Sequence, residues 1–241
     1  MSLQLPGPVL LLPGMMCDDR LFAYQTGRLK QDTAGQISVL TPPLDTATSL
    51  TELAAQVLNA APPSFCLCGL SMGGILAMEI IAQAPHRVDR LALMDTNPLP
   101  ETAEGVIRRN RQIADVKSGG LKQVMADEMK PLYLADRPDK AALLNLCMDM
   151  ALSLGEAAFI RQSLALRDRP DQTETLKSVR CPTLILYGAE DRLCPPERHQ
   201  LMHQLIPHAK LVAVQKAGHL PPLEAPQDTY GYLKDWLNLP A

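Results

Sequence analysis

A serine with glycine two residues to either side, Gly69-Leu70-Ser71-Met72-Gly73, is placed to act as a nucleophile. The apolar run Phe65-Cys66-Leu67-Cys68 precedes it and an alanine-, isoleucine- and methionine-rich helical pattern follows. The segment therefore reads as strand, sharp turn and helix with Ser71 at the bend, the G-x-S-x-G nucleophile elbow. Such a turn strains the backbone of its serine, and only small residues two before and two after allow the strand and helix to approach so closely.

A serine hydroxyl is a weak nucleophile until a base takes its proton, and a histidine suits that task. His219 stands in Gly218-His219-Leu220-Pro221-Pro222-Leu223-Glu224-Ala225-Pro226, directly after the apolar run 211–214. A carboxylate on the far ring nitrogen would fix the imidazole tautomer. Three acids compete for that role. Asp191 follows the run 182–187 in Gly188-Ala189-Glu190-Asp191-Arg192, Glu190 is its neighbour with a longer side chain leaving the loop elsewhere, and Asp95 ends Leu91-Ala92-Leu93-Met94. Asp95 otherwise caps the Thr96-Asn97-Pro98 turn.

The other histidines, His86, His199, His203 and His208, read as solvent-facing or capping residues. His199 and His203 are spaced i, i+4, but no third ligand and no H-E-x-x-H accompany them, so no metal is expected. Neither G-x-G-x-x-G nor a P-loop occurs, and no nucleotide cofactor is implied.

The elements that position these residues alternate between β and α. The runs 9–12, 37–40, 65–68, 89–94, 183 onward and 211–214 read as strands, and Val9–Leu12 shows no polar alternation, as a parallel strand buried on both faces requires. Helices are predicted over 20–30, from Leu50 with the capping box Ser49-Leu50-Thr51-Glu52, over 72–84, from Pro196 and from Pro226. Leu50, Leu53, Ala54, Val57, Leu58 and Ala61 share one face of the second, while 72–84 is apolar nearly all round and should lie buried on the sheet. Between 97 and 175 the β-like runs vanish and the chain becomes charged and helical, too long for a loop and too regular for disorder. The alternation implies a doubly wound, mostly parallel sheet of about six strands flanked by helices.

At 241 residues with 46% apolar side chains the chain can fold as one α/β domain with a substantial core. A net charge of −3 and a pI near 6.0 give no electrostatic case for nucleic acid or an anionic membrane. The basic cluster Arg108-Arg109-Asn110-Arg111 reads as the solvated face of a helix. No signal peptide is visible and the run Val9–Leu12 is too short to span a membrane, so a cytoplasmic protein is expected. Six scattered cysteines, Cys17, Cys66, Cys68, Cys147, Cys181 and Cys194, read as reduced and mostly buried thiols.

The order Ser71, Asp191, His219, each at the C-terminal end of its own strand, resembles the α/β-hydrolase fold superfamily, and the likeness runs from Leu12-Pro13-Gly14 to the final helix. The type it is similar to is that of small bacterial esterases, lactonases and C–C hydrolases. The resemblance implies a core of residues 1–97 and 176–241 with a helical cap inserted at 98–175. It favours Asp191 as the acid, because Gly188-Ala189-Glu190-Asp191 has the spacing the family uses more often. It places the oxyanion donors on the backbone N–H groups of Met72 and Met15, with Gly14 as the alternative to Met15, since Pro13-Gly14 replaces the His-Gly common in relatives. Family members usually begin with a β-hairpin, for which the eight residues before Val9 leave no room.

The implied activity is hydrolysis of small to medium carboxylic esters, lactones or thioesters through an acyl-enzyme on Ser71, without cofactor. C–C cleavage or enol-lactone hydrolysis by the same residues, and small-molecule binding without turnover, are the alternatives; a dehalogenase or epoxide hydrolase would carry Asp at the elbow. Met16 and Leu220, with Met148, Met150 and Leu152, suggest apolar walls for the substrate. An arginine from the segment 159–171, Arg161, Arg167 or Arg169, is the contrary possibility, facing a substrate carboxylate.

Overall fold

The computed structural model describes residues 7–239. Six strands form one parallel sheet: β1 (Val9–Leu12), β2 (Val39–Leu40), β3 (Phe65–Leu70), β4 (Val88–Met94), β5 (Thr183–Gly188) and β6 (Lys210–Val214), in the order β2-β1-β3-β4-β5-β6. Every residue of β1 and β3 is buried, which explains their unbroken apolar sequence. After β1 the chain runs outward to β2 and then returns to lay β3 on β1's other side. The loops after β1 and β3 therefore diverge at the C-terminal edge of the sheet and leave a crevice between them.

Helices α1 (Ala23–Asp32), α2 (Leu50–Ala60) and α3 (Met72–Gln83) precede β4. Ser49 Oγ accepts the Glu52 N–H at 3.1 Å, the predicted cap, and Leu50, Leu53, Ala54, Val57 and Leu58 are buried. Burying each leucine of that stripe contributes roughly 1.5–3 kcal/mol. Ala61 lies just past the end of α2, where the chain turns extended, and is only partly buried. Met72 through Ile81 are all buried, as the all-round apolar pattern of α3 requires.

Between β4 and β5 lie α4 (Ala103–Lys117), α5 (Leu121–Val124), α6 (Lys140–Arg167) and α7 (Thr173–Lys177). Three more helices follow: α8 (Pro196–Leu205), α9 (Pro221–Glu224) and α10 (Pro226–Leu237). One layer pairs α1 with α10, and α2, α3, α7 and α8 pack in succession as the other. Helix α6 is long and apolar enough by composition to cross a membrane, but Gly155 (φ 80, ψ 179) breaks it into 140–154 and 156–167. Each arm is shorter than the ~20 residues a span needs, and α6 packs on α4 and α5.

Several boundaries differ from expectation. Only Val39 and Leu40 pair with β1, because β2 is an edge strand opposite the N-terminal half of β1. The helix expected over 20–30 starts as a 3₁₀ turn at Asp19–Phe22, capped by Asp18, and α1 begins at Ala23. Residues 1–6, where an N-terminal hairpin would begin, lie outside the described residues. Cys17, Cys66, Cys68, Cys147 and Cys194 are buried free thiols and Cys181 is half-buried; burial pushes Cys66, Cys68 and Cys147 up to about 12.

His199 corrects the expectation of a solvent-facing ring. It is fully buried in α8 and stacks on Tyr187 with ring centroids 4.5 Å apart, because the apolar ring face closes the gap between α8 and β5. Neither ring nitrogen has a hydrogen-bond partner among the described residues, and burial lowers its pKa to about 4. The unfolded chain then binds the extra proton below its ordinary value of 6.5. Stability should fall as pH drops from 6.5 towards 4, by on the order of 3 kcal/mol from this ring. His199→Phe should flatten that part of a Tm-against-pH curve; an unchanged slope would assign the acid sensitivity elsewhere.

Candidate active site

One strained residue and two close approaches shape the turn after β3. Ser71 sits at φ 54, ψ −114, a strained conformation for a residue with a side chain. A Cβ on Gly69 would collide with the Gly73 carbonyl, and one on Gly73 with the Leu12 carbonyl. Glycine at both positions lets β1, β3 and α3 close around the bend. The Ser71 N–H donates to Met94 O and the Thr96 hydroxyl donates to Ser71 O, both at 2.8 Å, so β4 holds the turn from behind.

The structure brings the serine, histidine and aspartate of three separate loops together. His219 Nε2 lies 2.9 Å from Ser71 Oγ and His219 Nδ1 lies 2.9 Å from Asp191 Oδ2. Asp191 Oδ1 accepts the N–H groups of Leu193 at 2.8 Å and Cys194 at 3.1 Å. Burial pushes the Asp191 carboxyl up, but the charge and hydrogen bond of His219 and these two N–H groups outweigh it and hold the pKa below the ordinary carboxylate value. The chain of bonds can carry a proton from the serine hydroxyl to an imidazole whose far nitrogen faces a charged carboxylate. Glu190 is exposed beside them.

Asp95 does not cap the turn that follows it; Asn97 does, accepting the Leu99 N–H. Asp95 is fully buried, accepts the Gly188 N–H at 2.8 Å, and lies within hydrogen-bonding reach of Asp191. Its Oδ2 has no hydrogen-bond donor among the described residues. Burial and then the Asp191 charge push its pKa well above the ordinary value. A neutral Asp95 can donate its proton to Asp191 and add a hydrogen bond to that carboxylate without adding charge.

Two supports for His219 escaped the sequence reading. Its N–H donates to Tyr133 O at 2.7 Å, and buried Glu224 accepts the N–H groups of Gly218, Leu220 and Ala135 at 2.9, 3.0 and 2.8 Å. Glu224 thereby ties the histidine loop to the segment after α5. An acid five residues past a loop histidine, at the end of the short α9 and just before α10, was the only local sign of it.

Ser71, Met15, Met72, His219 and Leu220 all line a cavity of about 410 Å³. The N–H groups of Met15 and Met72 have no hydrogen-bond partner among the described residues, so both are free to donate. Met16 does not reach the cavity: at φ 56 its N–H turns to Gln162 Oε1 at 2.9 Å and its side chain is buried. Met148, Met150 and Leu152 do not line it either. Instead Arg109 and Arg169 stand in its wall on either side of Glu101. The expectation of a solvated Arg109 is thereby corrected, since it falls on the same face of α4 as buried Gly105, Gln112 and Val116. Arg161 reaches Asp45, outside the cavity, and Arg167 pairs with Asp168.

Among the described residues one group of three metal-capable side chains clusters, Asp191, Cys194 and His219, with ligand atoms within 4.8 Å. Its donors are ill-suited to an ion. Both His219 nitrogens are engaged, and burial and Asp191 push the Cys194 thiol well above its ordinary value.

The chain aligns with known proteins over most of its length. It is 28% identical over 191 residues to the pimeloyl-[acyl-carrier protein] methyl ester esterase of Salmonella newport (strain SL254), covering 75% of this chain and 72% of that one. Among solved structures it is similar to a thermophilic esterase from Thermogutta terrifontis with malate bound (26% identity, TM-score 0.84, covering 97% of this chain and 90% of that one). The enol-lactonase of Burkholderia xenovorans LB400 shares the fold at 20% identity and TM-score 0.81, over 97% and 92% of the two chains. The family model described as "Alpha/beta hydrolase family" matches residues 9–231, and the chain belongs to that family.

Proposed function

We propose that the protein hydrolyses carboxylic esters of small to medium size through an acyl-enzyme on Ser71, with His219 as base and Asp191 orienting it. The observation that carries this reading is the pair of 2.9 Å bonds linking Ser71, His219 and Asp191 at the wall of a cavity. The two relatives named as esterases support the ester bond as the one cleaved.

In the first half-reaction Ser71 Oγ bonds to the ester carbonyl carbon while its proton passes to His219 Nε2. The Asp191 charge stabilises the imidazolium so formed. The oxyanion accepts from the Met15 and Met72 N–H groups, each contributing roughly 3 kcal/mol to the transition state. As the tetrahedral species collapses, the C–O bond to the alcohol breaks and the alcohol leaves with the proton from His219. Water then repeats the sequence on the acyl-enzyme, releasing the acid and freeing Ser71. Residues 98–175 act as a cap over this chemistry, supplying Glu101, Arg109, Met129, Tyr133 and Arg169 to the cavity wall.

A screen of p-nitrophenyl esters of increasing chain length, with lactones and thioesters, tests the reading. Ester turnover is expected, with no change on adding EDTA, since the nucleophile is the Ser71 hydroxyl and not a metal-bound water. A rate that EDTA abolishes and zinc restores would assign the nucleophile to a metal-bound water.

A further inference from the structure

The cavity wall carries more positive than negative charge. Arg108, Arg109, Arg169 and Arg192 face Glu101 and Glu128, and Glu128 is already paired with Arg111 from outside the wall. The innermost of these charges form a cluster of one acid between two arginines. Arg169 is spent within the protein: Nε donates to Leu99 O at 2.9 Å, Nη1 to Glu101 Oε2 at 2.9 Å and to Leu166 O at 3.0 Å, and Nη2 to Glu101 Oε1 at 3.4 Å. Arg109 is not. Its Nε donates to Glu101 Oε2 at 2.6 Å, its Nη1 meets only the Met15 sulfur at 3.7 Å, and its Nη2 has no partner among the described residues.

The cluster is therefore a largely buried Arg-Glu-Arg group with one unneutralised positive charge. Glu101, held by Arg169, fixes the Arg109 guanidinium through Nε and leaves the two-nitrogen edge open to the cavity. That edge presents two parallel N–H donors in the geometry a carboxylate accepts. A buried charge left unpaired is costly, and an anionic ligand offsets that cost. The Arg109–Met15 contact puts the edge one methionine side chain away from the Met15 amide. Tyr133, whose phenol remains protonated because burial pushes its pKa up, lines the same cavity.

We infer that Arg109 is a specificity residue that binds a free carboxylate on the substrate, so that the preferred esters carry an anionic group a few carbons from the scissile carbonyl. The inference rests on the ester-hydrolase reading and narrows its substrate class to half-esters of short dicarboxylic acids and esters of similar charge.

The experiment compares two p-nitrophenyl esters of one chain length, the anionic hemiglutarate and the neutral valerate, across the parent, Arg109→Gln and Arg109→Lys. The parent should favour the hemiglutarate in kcat/KM by about tenfold or more. Arg109→Gln should lower the hemiglutarate-to-valerate ratio about a hundredfold, mostly through KM, since a contact made equally in ground and transition states acts on binding. Arg109→Lys, keeping the charge without the fork, should restore part of the ratio, and it carries the test should the glutamine variant fail to fold. No preference in the parent, or parallel losses on both esters, overturns the inference while the ester-hydrolase reading stands. Turnover of neither ester overturns that reading, and this inference with it.

Discussion

Ser71→Ala is expected to lower ester turnover on the order of a million-fold while leaving the fold intact. The strain at φ 54 falls on the backbone and Cβ, which alanine shares with serine, and the close approaches at the bend are made by Gly69 and Gly73 rather than by the hydroxyl. The bonds that hold the turn, from Ser71 N–H to Met94 and from Thr96 to Ser71 O, are main-chain on the Ser71 side and survive the change. Only Oγ and its bond to His219 disappear. Steady-state kinetics beside circular dichroism and a melting curve check both halves. A well-folded variant within tenfold of the parent would remove Ser71 from the chemistry.

The second large effect separates two buried carboxyls within reach of each other. Asp191→Asn should cut kcat by roughly ten-thousand-fold, because an amide facing Nδ1 favours the wrong tautomer and cannot stabilise the imidazolium. Asp95→Asn should stay within a few-fold of the parent. Burial and the Asp191 charge push Asp95 towards its neutral form, which asparagine mimics: an amide oxygen can accept from Gly188 while its NH₂ can donate to Asp191. Stability gives an independent check with a definite sign. The folded pKa of Asp95 is raised, so above the ordinary value of 3.8 the unfolded chain gains by ionising while the folded one does not. Asparagine removes that penalty: Asp95→Asn should raise Tm at pH 7, with the gain vanishing below about pH 4. Large loss of activity in Asp95→Asn with little in Asp191→Asn would exchange the roles.

The residues that could be read from the sequence are those whose neighbours along the chain announce them. Ser71 lies between glycines that only a strand–turn–helix corner needs, and Asp191 and His219 each follow an apolar strand. The centre of the sheet was legible for the same reason, since β1 and β3, buried on both faces, leave unbroken apolar runs, whereas edge strand β2 is only two residues that are not buried. Arg109 was hidden although Glu101 lies only eight residues away, because Met15 beside it is 94 residues away and Arg108, Arg109 and Arg111 look equally polar in one dimension. Its place on the 105–109–112–116 stripe was the available signal, masked by two glycine or glutamine positions in a stripe that is ordinarily apolar. Met16 was misplaced because a positive φ, invisible in the sequence, rotates it away from its neighbour Met15 and into the core. Asp95 and Glu224 depend on buried loop contacts that no periodicity encodes.

Covalent labelling tests the central claim most directly. The folded, active protein is treated with a fluorophosphonate, digested, and the modified peptide located by mass spectrometry. The expected result is stoichiometric loss of ester turnover with a single adduct on Ser71, absent from Ser71→Ala and strongly slowed in His219→Ala. An active protein that takes up no label, or one whose inactivating adduct sits on any other residue, would contradict a Ser71 acyl-enzyme.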